Sequence, residues 1–153
     1  MSLTFLIIGY YNDIPVTTQP AADVAVGAVD LDTSGVGGCT ADEIDFPESI
    51  FATRDKLLIA DNGHNRVLIW NSIPTNHDQA ADLVLGQGDF VSCVANRGST
   101  PTAESLDSPS DVWSDGTRLF VVDYSNNRVL IWNSFPTVNG QAADLVIGQA
   151  DMT

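Results

Sequence analysis

Basic residues are scarce in this chain of 153 residues. Six Lys and Arg stand against twenty Asp and Glu, giving a net charge of −14 and a pI near 4.1, and Lys56 is the sole lysine. Nucleic-acid binding draws its affinity from Lys and Arg displacing counterions from phosphates, so this balance argues against it. An acidic surface instead maintains solubility or suits cationic partners. Long apolar runs are also missing, which excludes a helical membrane span. The run Leu3-Thr-Phe-Leu-Ile-Ile8 is too short for the apolar region of a secretion signal and lacks its basic flank. Any address for export would have to lie outside this sequence.

Reactive side chains are equally sparse. The two cysteines, Cys39 and Cys93, form no C-x-x-C pair and have no nearby histidine, so zinc ligation is not indicated. A Cys39–Cys93 disulfide between neighbouring units fits an exported protein, and two free thiols are the alternative. His64 and His77 are the only histidines. Both fall in turn segments, where an exposed histidine is expected in preference to a catalytic base. The serine-nucleophile motif G-x-S-x-G and the phosphate-binding glycine loops are absent.

What the chain does contain, it contains twice. Leu57-Leu-Ile-Ala-Asp-Asn-Gly-His-Asn-Arg-Val-Leu-Ile-Trp-Asn71 returns as Leu119-Phe-Val-Val-Asp-Tyr-Ser-Asn-Asn-Arg-Val-Leu-Ile-Trp-Asn133, and Asp61 and Asp123 set the period at 62 residues. The register holds without a gap from Pro47–Asp89 to Pro109–Asp151, with roughly half the positions identical, far above chance. A partial third copy precedes them: Tyr10-Tyr-Asn-Asp-Ile-Pro15 matches Ile69-Trp-Asn-Ser-Ile-Pro74, and Ala21-Ala-Asp-Val24 matches Ala80-Ala-Asp-Leu83. The Asn-Arg pair is replaced there by Leu6-Ile7.

Each full copy reads as four short strands. In the later copy these are Asp111–Ser114, Arg118–Asp123, Arg128–Trp132 and Ala143–Gly148, with the hairpin signal Asp115-Gly116 between the first two. The near-continuous apolar run Leu119-Phe-Val-Val122 implies a sheet covered on both faces. Four-stranded sheets at a fixed period, each shielding the next, describe the blades of an all-β propeller. The organisation expected is therefore a partial propeller of about two and a half blades: a partial blade over 1–31, full blades over 46–90 and 108–153, and inter-blade linkers over 32–45 and 91–107.

The pattern Asp-x-x-x-Asn-Arg-Val followed by Ile-Trp resembles the NHL repeat. The added Ser-Pro-Ser-x-Val-Trp-Ser-Asp-Gly and Pro-Thr…Gln-Ala-Ala-Asp…Gly-Gln segments are similar to extended repeats of bacterial secreted or surface proteins. The resemblance implies a non-enzymatic scaffold for protein or ligand binding in an extracellular or periplasmic setting. An alternative carried by similar propellers is a metal-dependent lyase or hydrolase with its ion in the central channel. The innermost strands offer that reading only Glu48, Ser49, Ser110 and Asp111.

The recurring residues Asp61, Asn65, Arg66 and Trp70, with Asp123, Asn127, Arg128 and Trp132, are expected to serve structure. A need shared by every unit explains a residue repeated in every unit. The aspartates end strands where a carboxylate accepts turn N–H groups, the arginines can pair with carboxylates or carbonyls, and the tryptophans fill space between sheets. Asp61–Asn65 and Asp30–Gly35 place oxygen donors as calcium would need, but neither follows an EF-hand pattern and Asx turns account for both. Two and a half blades cannot close a ring, so the expected partners are further blades of a longer chain or other copies of this one, with a dimer the simplest closed arrangement.

Overall fold

The structure is a computed structural model and describes residues 21–33 and 38–153. It is all-β, built from two four-stranded antiparallel sheets. The first comprises β1 (Pro47–Ala52), β2 (Leu57–Asp61), β3 (Arg66–Trp70) and β4 (Leu83–Leu85), in that order across the sheet. The second repeats it with β5 (Pro109–Ser114), β6 (Leu119–Asp123), β7 (Arg128–Trp132) and β8 (Leu145–Ile147). Among the described residues the sheets close into no barrel or ring. Both start on the same irregularity, a register shift between Pro47 and Ser49 that recurs between Pro109 and Asp111.

Alternation along the strands decides how the sheets stack. Leu58, Ala60, Val67, Ile69 and Leu85 share one face of the first sheet and pack on Val112, Leu119, Val121, Leu130 and Trp132 of the second. The opposite face of the first sheet, with Leu57, Ile59, Leu68, Trp70 and Val84, is covered by Val26, Ile44 and Phe90. Both faces of β2 and β3 are thus dry, which is why every residue of these strands is buried. Fully burying a Leu, Ile or Val contributes about 1.5–3 kcal/mol relative to exposure, so this junction is the main cohesive element of the chain.

Asparagine in the Asn-Arg pair has a backbone reason to recur. Asn65 and Asn127 stand at φ of 55° and 53°, the left-handed region that asparagine tolerates better than other residues bearing a side chain. Each reverses the chain after a turn and delivers the following arginine to the start of β3 or β7. Tyr124–Asn126 makes that second turn as one turn of 3-10 helix.

The partial unit expected over 1–31 falls largely outside the described residues, and its 21–31 portion forms bends without a strand ladder. The fourth strands are shorter than the sequence pattern implies, three residues each. Their outer ends are taken by Gly86 and Gly148, at φ of 85° and 99°.

Candidate functional site

Most of the recurring polar residues converge on one arrangement, made twice. Asp61 and Arg66 close the β2–β3 turn as directly paired residues, and both are fully buried. The Arg66 Nε donates to Asp61 Oδ2 at 2.7 Å. Its Nη2 donates to the carbonyls of Thr40 and Glu43, both at 2.8 Å, and its Nη1 to the carbonyl of Phe90 at 2.9 Å. The other oxygen of Asp61 accepts the Asp45 N–H at 2.7 Å. One ion pair therefore holds the chain entering the sheet (residues 40–45) and the chain leaving it (Phe90).

The second sheet reproduces this partner by partner. Arg128 donates to Asp123 at 2.8 Å, to the carbonyls of Thr102 and Ser105 at 2.8 and 3.0 Å, and to that of Met152 at 2.6 Å. The Asp107 N–H reaches Asp123 at 2.8 Å. Every acceptor lies 62 residues beyond its counterpart. Planar guanidinium with several fixed donors suits this task, which a lysine could not perform. Trp70 and Trp132 add matched bonds from Nε1 to the carbonyls of Gln79 and Gln141, at 2.8 and 2.9 Å.

The arginines hold carbonyls in both linkers, Thr40 and Glu43 in one and Thr102 and Ser105 in the other, and Ala95–Gly98 forms a turn in which Asn96 and Arg97 both have positive φ. One expectation is corrected here. His64, expected on an exposed turn, is only 6% exposed, with Nδ1 3.0 Å from Asp61 Oδ2. A carboxylate only accepts, so Nδ1 carries the proton in this contact. Asn126, 62 residues on, fills the same place with Nδ2 donating to Asp123 at 2.8 Å. His77 is exposed, and its Nδ1 accepts the Ala25 N–H at 2.9 Å.

The structure joins Cys39 to Cys93 in a disulfide, with Cα atoms 6.3 Å apart. The bond ties the linker before the first sheet to the linker after it, beside Arg66, whose Nη1 lies 3.8 Å from Cys39 Sγ.

In the candidate calcium loops Asp61 and Asp30 carry protein hydrogen bonds. Asp61 spends both oxygens on Arg66, Asp45 and His64. Asp30 Oδ1 accepts the N–H groups of Asp32 and Thr33, an Asx turn repeated at Asp89 with Val91 and Ser92. The carboxyl pKa of both Asp30 and Asp89 is lowered, chiefly by a side-chain hydroxyl, that of Thr33 and of Ser92, with these N–H groups adding to it. Among the described residues no group of three or more His, Cys, Asp or Glu is placed to share a metal ion. Of the four channel candidates, Ser49 and Asp111 meet, Ser49 Oγ donating to Asp111 Oδ1 at 2.6 Å. They are equivalent positions of consecutive units.

No protein-family model matches the chain, and no curated protein matches it.

One set of residues carried no sequence signal: the latch between sheets. The Val84 N–H donates to Asn139 Oδ1 at 3.1 Å and the Gly140 N–H to Val84 O at 2.8 Å. His77 and Asp78 treat Ala25 in the same way, the Asp78 N–H reaching Ala25 O at 3.1 Å. Asp78 and Gly140 both hold positive φ, 52° and 60°, and that shared backbone turn, more than residue identity, makes the latch.

Proposed function

We propose that the chain is a non-enzymatic, NHL-like propeller module, its two sheets consecutive blades, acting as a scaffold for protein or ligand binding. The observation that carries this reading is the paired clamp. Asp61, Arg66, Asp123 and Arg128 direct their polar atoms at one another and at backbone flanking their own sheet, a structural use that accounts for their recurrence. The Ser49–Asp111 contact supports a radial arrangement, since it brings the first strands of successive sheets together at one edge.

Binding falls to the linkers in this reading. Within 91–107 the Asn96 N–H donates to the Leu106 carbonyl and the Arg97 N–H to the Val94 carbonyl, yet Val91 and Val94 are 71% and 62% exposed. Apolar side chains held outward on a fixed loop lose little entropy when a partner covers them. The disulfide supports an oxidising compartment such as the periplasm or the cell exterior.

Metal analysis of the purified protein tests the reading. The scaffold proposal expects no stoichiometric zinc or calcium and no change in melting temperature on chelation. Stoichiometric metal, lost together with thermal stability, would favour the channel lyase or hydrolase and overturn the scaffold.

A further inference from the structure

The Arg66 clamp leaves one donor over, and that donor faces sulfur. A guanidinium has five N–H groups. Four of those on Arg66 go to Asp61 and to the carbonyls of Thr40, Glu43 and Phe90. The fifth, on Nη1, has Cys39 Sγ at 3.8 Å. Arg66 is fully buried, so among the described residues this sulfur is what the remaining proton meets. Sulfur in a disulfide is a weak acceptor, whereas a thiolate beside a guanidinium is strongly stabilised. The feature belongs to the first unit: Arg128 makes the other four bonds, but the position 62 residues beyond Cys39 is Pro101. Among the described residues no basic side chain donates to Cys93 Sγ.

We propose that the Cys39–Cys93 disulfide is an exchange site for small thiols, in which Cys93 is the sulfur attacked and Cys39 the sulfur that leaves. An incoming thiolate bonds to Cys93 Sγ as the Cys39–Cys93 bond breaks, and the electron pair of that bond departs on Cys39 Sγ. Cys93 then carries a mixed disulfide, and Cys39 is a thiolate beside the fifth Arg66 proton. Exchange runs fastest through the leaving sulfur whose thiolate is better stabilised. Attack by Cys39 on Cys93 Sγ reverses the step and expels the thiol. A second thiolate attacking the outer sulfur completes the reduction, releasing the Cys93 thiolate and a small disulfide.

Both cysteines are held in place without the sulfur bond. Thr40, next to Cys39, is bound by Arg66 at 2.8 Å, and the Cys93 carbonyl accepts from Asn65 Nδ2 at 3.0 Å. The thiols therefore stay opposed after reduction, and closure carries none of the entropy cost of joining the ends of a loose 54-residue span. Both residues are half-buried, within reach of a small molecule. Apart from His64, which is bonded to Asp61, the other ionisable groups on the segments that Arg66 gathers are acidic. They are Asp61, Asp45 and Asp89, with Asp42 and Glu43, whose carboxylates lie 2.5 and 2.6 Å from Thr40 Oγ1. This rim repels an anionic thiol and favours a cationic one, so aminoethanethiol should react faster than mercaptoacetate at equal thiolate concentration, and salt should narrow the gap. The proposal stands on the clamp geometry and not on the scaffold reading, so either can fail alone.

The native chain, exposed briefly to aminoethanethiol, quenched in acid, alkylated with N-ethylmaleimide and mapped by peptide mass, tests the assignment without any variant. The mixed disulfide is expected on Cys93 and the alkyl group on Cys39, in roughly tenfold excess over the reverse pattern. A second measurement uses single thiols. The Cys39 thiol of Cys93→Ser should reach half-maximal alkylation by iodoacetamide about one pH unit below the Cys93 thiol of Cys39→Ser. Both variants should keep the circular dichroism of the wild type, because the clamp and not the crosslink holds the two segments. A mixed disulfide on Cys39 or shared equally, pH midpoints that coincide or reverse, or sheet signal lost in either variant would each overturn the proposal. So would mercaptoacetate reacting as fast as aminoethanethiol, or a disulfide that resists both thiols until denaturant is added.

Discussion

Arg66→Ala removes four hydrogen bonds at once: one to Asp61 and three to the carbonyls of Thr40, Glu43 and Phe90. The carboxylate of Asp61, fully buried, keeps the Asp45 N–H and His64 but loses its cation. Stranding one partner of a buried ion pair costs about 3–5 kcal/mol. Carbonyls left without donors add to that unless the linker swings out to water. Against a total stability of roughly 5–15 kcal/mol, this is a large share. At about 2–4 °C per kcal/mol for a chain of this size, the melting temperature should fall by roughly 6–20 °C. Urea denaturation gives the free energy directly, and a double-mutant cycle with Asp61→Asn isolates the pair. Arg66→Lys should recover little, because an ammonium cannot reach acceptors on both linkers together. Arg128→Ala strands Asp123 in the same way and frees the carbonyls of Thr102, Ser105 and Met152, so a loss of similar size is expected. A loss below about 1 kcal/mol for Arg66→Ala, within the range of an exposed ion pair, would refute the clamp as the element that organises each unit.

Two smaller effects follow from the same geometry. Asn127→Gly should leave stability within a few tenths of a kcal/mol of wild type, whereas Asn127→Ala should lose about 1 kcal/mol, because alanine resists the left-handed conformation; Asn65→Gly should lose more than Asn127→Gly, since it also forfeits the bonds to Ser108 and Cys93, and chemical denaturation of the three variants checks the order. The carboxyl of Asp115 is lowered from 3.8 to about 2 by the N–H groups of Arg118 and Thr117 and by the Arg118 guanidinium. A depressed carboxyl pKa contributes stability that is complete above the unfolded value and is lost as pH falls from about 3.8 towards 2. Carbon-13 titration of the Asp115 carboxyl should therefore show a midpoint near 2, and a midpoint near 3.8 would show that the turn does not form in solution.

The strands were legible where side chains alone decide them. Arg128–Trp132 emerges with the bounds that the sequence pattern implies, because the Asn-Arg junction fixes its start and the apolar run its length. The linkers were not legible, since what orders them is a guanidinium meeting main-chain carbonyls, and a carbonyl carries no sequence signature. Thr40, Glu43, Thr102 and Ser105 are accordingly held through backbone atoms that any residue would supply. The burial of His64 was hidden for a related reason: its counterpart Asn126 looks like an ordinary turn residue, and only the shared contact to the strand-ending aspartate reveals the role. The latch at Val84 depends on a positive φ at Gly140, which its counterpart Asp78 achieves without being glycine.

The disulfide has a mechanical consequence. Cys39 and Cys93 bracket the whole first sheet, so tension applied through the ends of the chain passes from one sulfur to the other and bypasses the 54-residue span between them. At ~3.3–3.6 Å per residue, roughly 180–190 Å of slack stays locked while the crosslink is intact. Stretched by its ends, the oxidised molecule would let the β5–β8 sheet pay out while the β1–β4 sheet stayed shielded, and reduction would return the hidden length.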